Sequence, residues 1–136
     1  MSPKQFKGVV TFDPAKGIPS LAGKVILVTG GRCALAFYQS TSLISSLGTA
    51  GLGRESVIAF AAHDPAHIYF TGRNASAADS LIAELKLKYP NVELTFIEMD
   101  LSSLRSVKES IVKTFNHDHL DILMNNAGII AKPAVL

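Results

Sequence analysis

Apolar positions along this chain form short dense runs that alternate with longer stretches of helical spacing. Residues 24–29 (KVILVT) are continuous, rich in β-branched side chains and bounded by glycine, the pattern of a strand buried on both faces. Residues 67–71 (HIYFT) and 120–124 (LDILM) also read as strands, while residues 92–99 (VELTFIEM) alternate at period two. Between them, Gly51 to about Ala62 carries Val57, Ile58, Phe60 and Ala61 at near-helical spacing, and His63-Asp64-Pro65 stops it. Ser76-Ala77-Ala78-Asp79 resembles a capping box ahead of Leu81, Ile82, Leu85 and Leu87, with Pro90-Asn91 as the stop. Ser102 or Ser103 is expected to cap a helix bearing Val107, Ile111, Val112 and Phe115. Strand and helix alternate throughout, which argues for a parallel sheet with right-handed crossovers: an α/β, doubly wound fold of about four strands. A six-stranded sheet of this class needs two more strand-helix units, so the fold is expected to be incomplete.

Residues 1–22 hold Pro3, Gly8, Pro14, Gly17 and Pro19 without apolar periodicity and read as a leader lying over the surface, ahead of a partial domain over 23–136. A length of 136 residues, 48% hydrophobic and 18% charged, suits one domain with a buried core. The 13 Lys and Arg are scattered among 11 Asp and Glu for a formal charge of +2, with no basic run, so no nucleic-acid partner is expected. No signal-peptide pattern occurs and no segment reaches the roughly 20 apolar residues of a membrane span, so a soluble, cytoplasmic protein without a membrane partner is expected. The one cysteine, Cys33, supports neither an internal disulfide nor a metal motif.

The chemistry sits in a glycine pattern that is written in two pieces. Val28-Thr29-Gly30-Gly31 closes the first apolar run, and Thr49-Ala50-Gly51-Leu52-Gly53 resumes after the 17 residues 32–48. With those skipped the text is KVILVTGG-TAGLGRESV: a strand, a glycine turn and a helix start. Such a turn lets backbone N–H groups approach phosphate oxygens at the positive end of a helix dipole. Gly30, Gly51 and Gly53 are the residues for this task. Arg73 lies twenty positions after Gly53, at the end of the second strand run, where a dinucleotide fold meets the adenosine ribose. An acid there would accept from the 2′-hydroxyl of NAD. Gly72-Arg73-Asn74 instead leaves room and offers a guanidinium fork suited to the 2′-phosphate of NADP.

These residues, from about Lys24 to Ile130, resemble the amino-terminal half of a short-chain dehydrogenase/reductase, with a Rossmann-like fold. The resemblance implies that the family's TGxxxGxG loop corresponds to Thr29, Gly30, Gly51, Leu52 and Gly53. It also implies an adenine-contacting Asp100-Leu101 pair, and an Asn125-Asn126-Ala127-Gly128 motif that steadies the sheet and lines the adenosine side. The bland alternatives are a turn or capping acid at Asp100 and a buried structural amide at Asn125. The implied activity is NADP-dependent hydride transfer on a small-molecule carbonyl or alcohol substrate. The family's catalytic serine and Tyr-x-x-x-Lys pair have no counterpart: four positions after Tyr38, Tyr69 and Tyr89 stand Ser42, Arg73 and Glu93. Tyr69-Arg73 is a decoy. No catalytic residue is therefore assigned, and a chain without turnover is expected. A noncatalytic NADP-binding or regulatory fragment is the alternative, and a non-functional product of intron retention and truncation is a third.

No metal site is expected. His63 and His67 have helical spacing, but Pro65 breaks the helix between them, and His117 and His119 read as a solvated turn. The interruption itself, RCALAFYQSTSLISSLG, leaves a short helix or a loop open. It reads as a translated intron: Gly31 and Gly48 are duplicate flanks whose codons permit splice-site strings, and Leu43-Ile44 permits a branch-site-like string. A lineage insertion forming a lid is the alternative.

Overall fold

The computed structural model describes residues 12–30 and 51–128. The interruption at 32–48, with Cys33 and Tyr38, lies outside the described residues, as do the first eleven residues of the leader and residues 129–136.

Strands β1 (Val25–Val28), β2 (His67–Gly72), β3 (Glu93–Glu98) and β4 (Ile122–Met124) form one parallel sheet in the order β3-β2-β1-β4. Helices α2 (Leu52–Ala61), α3 (Ala75–Lys88) and α4 (Leu104–Thr114) follow β1, β2 and β3 in turn. The α/β doubly wound expectation holds, with the chain stepping outward from β1 to β3 and then returning to place β4 on the other side of β1. That reversal opens a crevice at the carboxyl ends of β1 and β4, where open α/β sheets take ligands. Register is fixed by Val25 against His67 and by Ile26 against Ile122.

Side chains of successive strand residues point to opposite faces, so each strand feeds two cores. Ile26, Val28, Ile68 and Phe70 pack with Val57 and Ala61 of α2 and Ala78, Leu81 and Leu85 of α3. Val25, Leu27, Tyr69, Ile97 and Met99 face the other way, against Val107 and Ile111 of α4 and Phe115 just beyond it. Each fully buried apolar side chain contributes roughly 1.5–3 kcal/mol, so the continuous runs in β1 and β2 specify the centre of the sheet.

Local details depart from the sequence reading. The cap of α3 is Asn74, whose side chain accepts from Ala77 N, so the cap lies two residues before the Ser76 of the proposed capping box and Ser76 lies inside the helix. Ser103 caps α4, as one of the two expected serines. The described part of the leader is also more than a surface strap. It forms the short helix α1 (Pro14–Gly17), and Leu21 is buried in the α2–α3 core with its N–H donated to His63 O at 2.9 Å.

Candidate functional site

Gly30 leaves β1 with φ of 65°, a left-handed conformation that L side chains rarely adopt. A Cβ there would also stand 2.8 Å from Ala127 Cα. Gly53, in the first turn of α2, is buried, and a Cβ on it would collide with the Gly30 carbonyl oxygen and lie 2.5 Å from Asn126 Nδ2. The two halves of the split glycine pattern are therefore in contact, backbone against backbone.

Residues after β4 hold this junction. Asn126 Nδ2 donates to Thr29 O at 3.1 Å and to Gly30 O at 3.0 Å. Thr29 Oγ1 accepts from Asn126 N at 3.1 Å and from Ala127 N at 3.2 Å, and Thr29 N donates to Met124 O at 2.9 Å. The structural amide is thus Asn126. Asn125, for which a buried structural role was the bland expectation, is exposed, because the end of β4 turns its neighbour toward β1 instead. Thr71 adds a contact that the sequence reading missed: its Oγ1 accepts from Gly30 N at 3.2 Å. A small hydroxyl side chain at the carboxyl end of a buried strand was the available signal.

The helix that follows the junction has a bare amino end. Gly51 is its N-cap and supplies no side chain, whereas α3 and α4 are capped by Asn74 and Ser103. Among the described residues no side chain caps its first turn, where the positive end of the helix dipole lies. Leu52, at the first helical position, is 79% exposed. The helix is anchored from behind: Arg54 bonds Glu84 of α3 at 2.6 Å and Glu55 at 3.0 Å.

The remaining candidates lie along the same carboxyl edge. Arg73 and Asn74 follow β2 and are exposed, with the Asn74 oxygen engaged in capping α3. Asp100 and Leu101 follow β3, tied to the end of β2 by Met99 N donating to Gly72 O at 2.9 Å. Asp100 Oδ1 accepts from Ser102 N at 2.9 Å and Ser102 Oγ at 2.8 Å, so it is a turn acid in this structure. Those bonds, with a smaller push from the Arg73 charge, hold its carboxyl below the usual carboxylate range. Together the described residues here offer backbone N–H groups, a helix amino end and a guanidinium, a set suited to holding an anion. The absent side chains at Gly30 and Gly53 let this turn close on Ala127 and Asn126 and bring its backbone to the amino end of α2.

Elsewhere the decoy is resolved by distance in the fold. Tyr69 is fully buried on the α4 face, its hydroxyl donating to Asn116 Oδ1, while Arg73 is exposed at the far end of the strand. The histidines correct the solvated-turn reading in part. His67 is buried at the start of β2, stacked on Tyr69 with ring centroids 4.0 Å apart, its Nε2 bonded to Thr95 Oγ1 at 2.8 Å. Its Nδ1 lies 3.0 Å from His117 Nε2 and 3.2 Å from Glu93 Oε2. His117 is accordingly half-buried, and only His119 is exposed. Sequence separation of 50 positions hid this pair.

Residues 47–135 match the family model described as short chain dehydrogenase. A short-chain dehydrogenase/reductase of Aspergillus calidoustus is 34% identical over 121 residues, covering 88% of this chain and 32% of that protein. One from Armillaria gallica is 33% identical over 117 residues, covering 85% and 32%. The chain thus spans about a third of the length of these curated relatives. Among solved structures, L-sorbose reductase from Gluconobacter frateurii, complexed with NADPH and L-sorbose, superposes with a TM-score of 0.61 at 24% identity, over 85% of this chain and 37% of that one. A short-chain dehydrogenase from Sphingobium yanoikuyae in complex with NADPH gives 0.60 at 20% identity, over 82% and 37%. At these identities the structures establish the shared fold.

Proposed function

The chain belongs to the short-chain dehydrogenase/reductase family, and from that premise we propose that its carboxyl edge is the nucleotide half of an NADP-dependent oxidoreductase site. In this reading Thr29, Gly30, Gly51, Leu52 and Gly53 hold the pyrophosphate, Arg73 and Asn74 receive the 2′-phosphate, and Asp100 and Leu101 border the adenine. Asn125, Asn126, Ala127 and Gly128 line the adenosine side, with Asn126 acting through Thr29 and Gly30. Bound NADPH would supply the hydride for reduction of a small carbonyl compound, or NADP would accept one from an alcohol.

The observation that carries the reading is the contact of Gly30 with Gly53 beneath the bare amino end of α2. The preference for NADP rests on Arg73, and the NADPH complexes of the two fold neighbours agree with it. Among the described residues no helix is long and apolar enough to cross a membrane, and a cytoplasmic setting is part of this proposal.

For the polypeptide of these 136 residues, binding without turnover is the favoured form of the reading, because no tyrosine has a lysine four positions on. Calorimetric titration tests both parts. The chain should bind NADP saturably and more tightly than NAD, and Arg73→Gln should narrow that preference by roughly tenfold, the loss of one charge-assisted pair. Equal affinity for the two nucleotides, unchanged by Arg73→Gln, would refute the NADP assignment, and NADPH-dependent carbonyl reduction by the purified chain would refute the noncatalytic form.

A further inference from the structure

We propose that His67 and His117 form an acid-released latch: sharing one proton between facing ring nitrogens, they pin the connection between α4 and β4, residues 115–121, to the start of β2, and uptake of a second proton by the pair releases it.

The pinned contact is built from both sides. His67 is 4% exposed at the amino end of β2, and His117 reaches it from the connection, Nε2 to Nδ1 at 3.0 Å with the rings edge-on. Beside it the Tyr69 hydroxyl donates to Asn116 Oδ1, and the Tyr69 ring packs on Phe115 with centroids 4.8 Å apart. Three consecutive residues of the connection therefore meet two side chains of β2. The latch lies at the amino edge of the sheet, at the opposite end of β4 from Asn126.

Two nitrogens at this distance need one hydrogen between them, one ring donating and the other accepting. Glu93 Oε2 lies 3.2 Å from the same Nδ1 and only accepts, so it selects the tautomer in which His67 Nδ1 carries the hydrogen. His67 Nε2 then accepts from the Thr95 hydroxyl at 2.8 Å. A first added proton is accommodated: His117 Nε2–H donates to His67 Nδ1, and His67 Nε2–H donates to Thr95 Oγ1, which accepts instead. A second proton sets two N–H groups and two positive charges face to face. Glu93 opposes this only weakly, because its side chain is 69% exposed to solvent.

The surroundings set the direction. The titratable groups facing the pair are Glu93 on β3, Lys86 on α3, Tyr69 on β2, and Asp118 and His119 on the connection. Burial lowers His67, and it binds a proton less readily folded than unfolded. The latch is therefore fully closed above pH of about 6.5 and opens as pH falls from there through the lowered native value. His119 works the other way: its bond to Asp118 raises it, so that contact is strongest in acid and is lost as pH rises. Asp121 is the second anchor, accepting from Lys24 Nζ at 2.8 Å and Val25 N at 2.9 Å, and these bonds hold its carboxyl below the usual carboxylate range. Release thus stops short of β4.

NMR of the intact chain, with histidine ring nitrogens labelled, tests the latch from pH of about 8 to about 5. Cross-peaks between the His67 and His117 rings should fade on acidification together with shifts of Phe115, Asn116 and Tyr69, while the Asp121, β1 and α2 amides stay put. Below pH of about 6.5 the ratio of released to pinned connection should rise by up to about tenfold per pH unit, the slope for one proton. His117→Gln keeps a hydrogen-bonding group that takes no proton, and should make Asn116 and Tyr69 insensitive to pH; His119→Gln should leave the response in place. Ring contacts that survive protonation of both histidines overturn the proposal, as does their loss only in global unfolding with the β1 and α2 signals. A response that persists in His117→Gln or vanishes in His119→Gln also overturns it, and if His117→Gln does not fold, the titration of the intact chain decides.

Discussion

On one face of the sheet Ile26, Val28, Ile68 and Phe70 lie wholly buried beneath α2 and α3, whereas on the other, among the described residues, Val25, Leu27, Tyr69 and Ile97 are packed by Phe115 and by α4, no residue of which is buried. The difference extends to the surface, where Leu104 and Val112 of α4 are 86% and 77% exposed. The candidate site stands on the closed face, because the helix that points at it is α2. The open face is finished with polar groups instead: His67, Thr95, His117, Asn116 and the Tyr69 hydroxyl. A rigid backbone cradle needs a helix whose position is over-determined by packing, and α2 has that while α4 does not.

The largest effect should come from removing core volume on the closed face. Phe70→Ala is expected to destabilise by about 3–5 kcal/mol, enough to unfold much of a marginally stable domain, while Ile111→Ala in the half-buried contact of α4 should lose roughly 1–2 kcal/mol. Denaturant midpoints measure both, and equal losses would erase the distinction between the faces.

A smaller effect tests the junction itself through its sign. Glycine in a helix interior is normally worse than alanine by roughly 0.8–1 kcal/mol, so Gly53→Ala should stabilise α2 if the residue met only open space. Contact with Gly30 and Asn126 reverses this expectation to a net loss of roughly 1–3 kcal/mol, as overpacking usually costs. A stabilised variant would mean that the two halves of the loop do not touch.

The smallest effect separates buried from exposed imidazoles on the open face. Burial pushes His67 below the ordinary histidine value of about 6.5, opposed in part by Glu93 and reinforced by His117 and Lys86, while the bond to Asp118 raises His119. Since unfolded His67 binds a proton more readily than folded His67, its contribution to stability is complete above pH of about 6.5 and is lost as pH falls through the lowered native value. Proton NMR titration of the ring signals should show His67 titrating below and His119 above the ordinary value, and the opposite order would contradict the burial argument.

The sequence carried the architecture because the signals are local and large. Continuous apolar runs such as KVILVT belong to the centre of a parallel sheet, and breakers such as Pro65 and Pro90 end the helices between them. The glycines were legible for the same reason, since a turn against a helix start tolerates no side chain. Finer choices depended on register and tertiary approach. Asn125 and Asn126 are adjacent amides, and only the pairing of Leu27 with Leu123 decides which one meets Thr29. Asn74 and Ser76 are both good caps, and the end of β2 at Gly72 selects the first. Thr71 and the His67–His117 pair were hidden because their partners are distant in sequence.

Whether the interrupted glycine pattern holds a single nucleotide is read by titrating the isotopically labelled chain with NADP and following its amide NMR signals. Gly30, Gly51, Gly53, Arg73 and Asn126 should shift together along one saturation curve, with the α4 amides unmoved. Shifts confined to one side of the break, or none on either side at saturating NADP, would contradict a single site.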